Sequence, residues 1–356
     1  MTARRQSSAA NIGNPDLRKE TFAESLGRSL PGKMNRLAAL DIAVSRLAGC
    51  RCDVSCNYVT ANQNRFQSIG AERKRNMLKP TGLVAGHYEC RSLQQTLPIL
   101  QDFLALEVVE RSDGETVLKH PNTGWKLIAH ESAPDTPDKP FQHHYGVRVA
   151  TNREIDEAHE YLQSKKREYK IKIIQPKENH NAYSVHFFEP GGNFWEIESY
   201  EKADEAGMGK TTRPHWQIPI GEEKFPGRRY IPQALTHGTV QFHDIEATRR
   251  FYENVLGLEV VQLWPSSIYV KHSESPWYIV NLPFRAEPVL PTRAQRFVLA
   301  LESASEVEEA HRWFANSAQT LGLNTLDPIQ SSNGVAWFIF ADLNRNWWEV
   351  TSARTS

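Results

Sequence analysis

Two histidines stand in the same short context, His87-Tyr88-Glu89-Cys90-Arg91 and His144-Tyr145-Gly146-Val147-Arg148, both of the form H-Y-x-x-R. A carboxylate, Glu196, closes the stretch Glu189-Pro190-Gly191-Gly192-Asn193-Phe194-Trp195-Glu196. Neutral imidazoles and carboxylates bind divalent ions, and two His with one carboxylate leave coordination positions open, as in non-haem Fe(II) oxygenases. Nearby lie His180 and His186, whose rings titrate near neutrality and can carry a proton, and Tyr183, which can donate to an oxyanion. The cysteines invite no such reading. Cys50-x-Cys52-x3-Cys56 lacks the paired C-x2-C spacing of a zinc site and has no His beside it.

These residues belong to a chain of 356 with 42 Lys+Arg, 42 Asp+Glu and 40% apolar residues, too hydrophobic for wholesale disorder. The balanced charge argues against nucleic acid as a partner, and no run approaches the roughly 20 apolar residues of a membrane span. The balance conceals an asymmetry: residues 1–80 carry 14 Lys+Arg against six Asp+Glu, and the remainder is acidic. Cys90 is the single cysteine after residue 80, so no disulfide framework holds the body, and a reducing, cytoplasmic setting follows. Residues 1–79 read as a basic N-terminal extension, partly helical or disordered. Three readings of it stay open: an organelle presequence, a lipoprotein-type box at Leu47-Ala48-Gly49-Cys50, or a dispensable leader.

The elements that must position the candidates come from an internal repeat. Leu104-Ala105-Leu106-Glu107-Val108-Val109 reappears as Leu256-Gly257-Leu258-Glu259-Val260-Val261, and a strand-like run holding His87 or His237 lies about 20 residues before each. Between them fall helical patterns such as Ile245, Thr248, Phe251, Tyr252 and Val255. Short alternating strands follow. Two further copies begin at Tyr145 and Phe297 and end on Phe194–Ser199 and Trp347–Thr351. The spacing predicts an α+β protein of four βαβββ units, with a loop over Pro176–Asn181.

Four such units resemble the vicinal oxygen chelate superfamily of glyoxalases, bleomycin-resistance proteins and type I extradiol dioxygenases. The resemblance implies two half-barrels, each a pair of units cupping a metal held by first and last strands. Its boundaries would be 80–200 for a metal-binding pair, 201–230 for a linker, and 231–356 for a second pair without metal. The inner corners of the first pair would be His87, Lys126, His144 and Glu196, with His144 chosen over His143 by strand alternation. Lys126 would pair with Glu89 or Glu196, or hold an anionic group of the substrate. The second pair would present His237, Tyr278, Phe297 and Glu349, too few ligands for an ion. The metal ligands are thus expected to be His87, His144 and Glu196, and the catalytic groups His180, His186 and Tyr183. The resemblance implies a metal-dependent dioxygenase, with Fe(II) cleaving a catechol-like substrate through its vicinal oxygens with O2. Mn, Zn or Ni would suit a non-oxidative lyase, isomerase or hydrolase instead, and a binding or resistance protein is the third reading. Superfamily members often form homo-oligomers.

Overall fold

The computed structural model describes residues 78–353 except 113, 134–135, 137–142, 180–181, 202–219, 265–266, 274, 276 and 285–289. His180, nearly all of the N-terminal extension and most of the expected linker lie outside the described residues. Four units follow one another. The first is β1 (Gly82–Cys90), α1 (Leu93–Leu104), β2 (Glu107–Ser112), β3 (Glu115–Lys119) and β4 (Lys126–Glu131). The second is β5 (His144–Arg148), α2 (Asn152–Lys165), β6 (Lys172–Asn179), β7 (Ala182–Phe188) and β8 (Phe194–Ser199). The third is β9 (Ala234–Phe242), α3 (Ile245–Asn254), β10 (Glu259–Trp264), β11 (Ser267–Lys271) and β12 (Tyr278–Pro283). The fourth is β13 (Arg296–Ala300), α4 (Ala304–Leu321), β14 (Thr325–Leu326), β15 (Gln330–Ser332), β16 (Val335–Ala341) and β17 (Trp347–Thr351).

Local sequence accounts for these elements. The helices start on Ser92, Thr151, Asp244 and Ser303, each accepting a backbone N–H with its side chain, and Thr151 with Glu154 completes a capping box. Helix α3 buries Thr248, Phe251 and Tyr252, the face its periodicity predicts. Strand β16 buries Ala336, Phe338 and Phe340 while Val335, Trp337 and Ile339 are half-buried, the two-residue period of a sheet with one face on the core. The loop expected at Pro176–Asn181 is in part strand: β6 is an edge, and its register breaks between Ile174 and Lys177, which lets Pro176 sit without a ladder N–H.

The units form two open sheets, but not between chain neighbours. One nine-stranded sheet runs β14-β16-β17-β13-β1-β4-β3-β2, with β15 on β16, and joins units one and four. An eight-stranded sheet runs β10-β11-β12-β9-β5-β8-β7-β6 and joins units two and three. The expected pairing of units one and two within 80–200 is therefore corrected. β1 pairs antiparallel with β13, Gly86 against Phe297, and β5 pairs antiparallel with β9, Gly146 against His237. Trp125 and Trp277, at matching places of units one and three, stack 4.2 Å apart in one continuous core. Among the described residues no helix is long and apolar enough to cross a membrane.

A buried polar clip ties unit one to the start of β9. His120 Nε2 is 3.2 Å from the Pro232 carbonyl, Asn122 donates to the Gln233 carbonyl, and Thr123 both donates to and accepts from Leu235. Burial holds the His120 pKa down at about 4, so the folded chain keeps the ring neutral where an unfolded chain would protonate it near 6.5. The His120 contribution to stability is then constant above pH 7 and falls as pH drops from about 6.5 toward 4, because the unfolded state binds the proton first. Denaturant unfolding of the wild type and of His120→Gln at pH 8 and pH 5 isolates this contribution: relative to the variant, the wild type should lose on the order of 2 kcal/mol at pH 5.

Candidate metal centre

Because β5, β8 and β9 share the eight-stranded sheet, their inward side chains meet. In the parallel pair β5–β8, Gly146 lies opposite Glu196, and across β5–β9 the same Gly146 lies opposite His237. The ring of His237 occupies the space above that glycine: a Cβ on Gly146 would stand 2.1 Å from His237 Cε1. His144 Nε2 is 3.0 Å from Glu196 Oε2, His237 Nε2 is 3.2 Å from the same oxygen, and the two imidazole nitrogens are 3.4 Å apart. From β7, directly opposite Glu196 in the ladder, His186 brings Nε2 to 3.2 Å from Glu196 Oε1.

Buried groups behind the site orient this set. His237 Nδ1 lies 3.3 Å from Glu198 Oε1 and 3.1 Å from Thr236 Oγ1. Glu198 also accepts from Arg148 Nη2 at 3.1 Å and Tyr278 Oη at 3.0 Å, and Arg148 lies 4.3 Å over the Tyr200 ring. His186 stacks on Phe194 at 5.0 Å, and its Nδ1 is buried without a hydrogen bond among the described residues. Glu196 is positioned by a turn in which Glu189 accepts from the backbone of Gly191 and Asn193, so the carboxylate opening that stretch is structural.

Electrostatics make the site cation-seeking. Burial alone would raise Glu196, yet His186, His144 and His237 hold it well below the usual carboxylate range. Burial would lower His237, but Glu198 and Glu196 outweigh it and lift the ring to about 9. Burial lowers His144 despite Glu196. Two carboxylates closing on one imidazole thus retain a proton that a divalent ion would displace. The residues fit such an ion: Nε2 atoms and a carboxylate lie within 4.8 Å of one another, and His237 has the carboxylate partner on its other nitrogen that metal-bound imidazoles ordinarily have. A pocket opens on the cluster, walled by Ala182, Tyr200, Tyr269, Val280 and Leu282.

Of the expected ligands, His144 and Glu196 come together and His87 does not. His87 belongs to the nine-stranded sheet, where its Nδ1 meets His130 Nε2 at 2.7 Å. The other imidazole beside Glu196 Oε2, His237, comes from the unit read as metal-free. Lys126 lies opposite Ala85 in the nine-stranded sheet, and Tyr278 takes the corresponding place beside His237. The corner assigned to Phe297 belongs to Arg296, whose Nε is 2.7 Å from Glu349 Oε2 just as His144 faces Glu196. Among the expected catalytic groups, His186 is in the cluster. Tyr183 is on the opposite face of β7, donating to Asp156 of α2 at 2.7 Å, a bond that with burial raises its hydroxyl to about 12.

Residues 88–197 match the family model described as Glyoxalase/Bleomycin resistance protein/Dioxygenase superfamily. Over that stretch, most of the first two units, the chain is similar to that superfamily. His237 lies outside the matched stretch. None of the curated proteins compared matches the sequence. Among solved structures, a point variant of glyoxalase I from Zea mays is 12% identical, with 80% of this chain and 96% of that one covered and a TM-score of 0.56. Glyoxalase I from Zea mays itself is 13% identical over 76% of this chain and 92% of that one, with a TM-score of 0.54. At such identities the likeness is one of fold.

Gly146→Ala tests the geometry without touching a donor atom. The added methyl must push His237 aside, so divalent-metal affinity measured by chelator competition should fall at least about tenfold. Thermal unfolding should show a loss of about 1–3 kcal/mol from overpacking, with the sheet signal in circular dichroism retained.

Proposed function

We propose that the protein is a mononuclear metal-dependent dioxygenase whose ligands are His144, His237 and Glu196, and that Fe(II) serves extradiol-type cleavage of a catechol-like substrate. The observation that carries this reading is the fourth corner. Tyr278 sits there with its hydroxyl donating to Glu198 and accepting from Arg148 Nη2 at 2.8 Å, so it is engaged away from the ion and the two-His, one-carboxylate set keeps adjacent positions open. When bound, Fe(II) supplies a Lewis acid for two vicinal substrate oxygens and one-electron chemistry toward O2.

The chain's own groups do the rest. Tyr269, Val280 and Leu282 offer an aromatic and aliphatic wall to a flat substrate and displace water from around the cluster. His186, with Nε2 beside Glu196, is the base placed to take a substrate hydroxyl proton at that atom. Glu198 and Arg148 hold His237 in the tautomer that presents Nε2.

A second reading rests on His186 itself. If its Nε2 binds the ion, His144, His186 and Glu196, whose ligand atoms lie within 4.8 Å of one another, hold it with His237 as a further ligand, a set suited to Zn2+ that expands its coordination to take substrate in non-oxidative lyase, isomerase or hydrolase chemistry. Metal content after anaerobic purification, followed by O2 uptake with a catechol panel, separates the two. The proposal expects about one iron per chain and O2 consumption, with His144→Ala and His237→Ala each losing the metal and at least about 100-fold in rate, and His87→Ala keeping the metal. Bound zinc with no O2 uptake favours the second reading. Protein that takes up no metal sinks both and leaves a small-molecule binding protein.

A further inference from the structure

The walls and charges of the pocket over the proposed metal set narrow what it can admit. Strands β9, β5 and β8, which carry the ligands, lie side by side in the eight-stranded sheet and form its floor, with β12 and β7 flanking them. On these flanks small apolar clusters stand apart from the main core. Tyr269, Tyr278 and Val280, with Leu282 packed on them, make one wall, and Ala182 with Tyr200 makes the other. The ring of Tyr269 lies 5.4 Å from that of Tyr278, which places β11 behind the first wall. An apolar slot over a polar floor is what a small-molecule site offers.

These walls are neutral. Burial, against a hydrogen bond with Tyr200, pushes the Tyr269 hydroxyl up to about 12, so it keeps its proton. The carboxylates Glu196 and Glu198 both line the pocket, and among the described residues lining it there is no lysine or arginine. The guanidinium of Arg148 stands behind Glu198. It donates to Glu198 Oε1 at 3.1 Å and to Tyr278 Oη at 2.8 Å, lies 4.3 Å over the Tyr200 ring, and is only 2% exposed. A divalent ion answers the two oxygens of a catechol, but no cation in the slot answers a further negative group. Such a group would give up its water without gaining an ion partner, and would face Glu198 as well. An alkyl group in the same place leaves water for contact with Val280 and Leu282.

We propose that the site selects an uncharged catechol bearing an alkyl substituent and turns away a carboxylated one, with Leu282 as the residue at the rim of the slot that sets this preference. The inference rests on the catechol reading above and adds to it the class of substituent. Anaerobic calorimetric titration of the Fe(II)-loaded full-length protein tests it with matched pairs: 3-methylcatechol against 2,3-dihydroxybenzoate, and 4-methylcatechol against 3,4-dihydroxybenzoate. The tighter methylcatechol should bind one per chain, and its carboxylate counterpart at least about tenfold more weakly. Leu282 is half-buried near the end of β12, where Leu282→Arg brings a cation to the slot. That variant should bring the pair to equal affinity or reverse it, whereas the uncharged Leu282→Gln should weaken the methylcatechol and leave the carboxylate disfavoured. The wild-type comparison stands by itself should the arginine variant not fold. A dihydroxybenzoate that binds the wild type as tightly as its methyl counterpart, or a preference that a folded Leu282→Arg leaves unchanged, overturns the inference and leaves the catechol reading in place. Protein that takes up no iron, or that binds none of the four compounds, overturns both.

Discussion

Everything at the candidate metal centre depends on the antiparallel register that sets Gly146 of β5 against His237 of β9. A one-residue slip would turn His237 to the other face of the sheet and dissolve the cluster. The register is pinned by polar contacts across the same two strands: the His144 N–H donates to Thr239 Oγ1 at 2.7 Å, and the Thr236 hydroxyl donates to the Gly146 carbonyl at 3.2 Å. Gly146 is then the residue that admits an imidazole at a crossing where any side chain would collide with it. The site is therefore made from the second and third units and spans the segment between them in the sequence.

The same backbone plan is solved twice, with opposite means. In the eight-stranded sheet Glu196 faces three imidazoles, of which His237 retains its proton between two carboxylates. In the nine-stranded sheet the corresponding Glu349 faces Arg296, a permanent cation built into the chain. A buried carboxylate needs a partner in either case, because an unpaired buried charge costs several kcal/mol. Arg148 has a related role deeper in the eight-stranded sheet, with Glu198 as its ion partner and Tyr278 and Tyr200 around it. Its guanidinium thus supports the cluster from behind, through Glu198 and His237.

Much of the fold is legible in the sequence because the repeat is written in periodicity. Helix α3 shows its buried face at three- and four-residue spacing, and Ala105 and Gly257 mark the same left-handed turn before β2 and β10. Alternation separates His144 from His143. What chain order does not reveal is which first strand pairs with which, since that is settled by long-range packing. His87 is drawn to His144 by a shared H-Y-x-x-R that recurs in two different sheets. A finer signal is present: counted back from Leu106 and Leu258, the place of His237 is matched by Ala85, and His87 matches Thr239. That two-residue offset already removes His87 from the ligand position. Tyr183 fails for a simpler reason, its odd parity relative to His186 along β7.

The centre is most directly tested by anomalous diffraction from crystals of the full chain soaked with its metal, with data on both sides of the absorption edge. The account predicts one ion per chain, about 2.0–2.2 Å from His144 Nε2, His237 Nε2 and a Glu196 oxygen, and no ion beside Arg296 and Glu349. An ion held by His87, or one bound by His144 and Glu196 with His237 turned away, would contradict it.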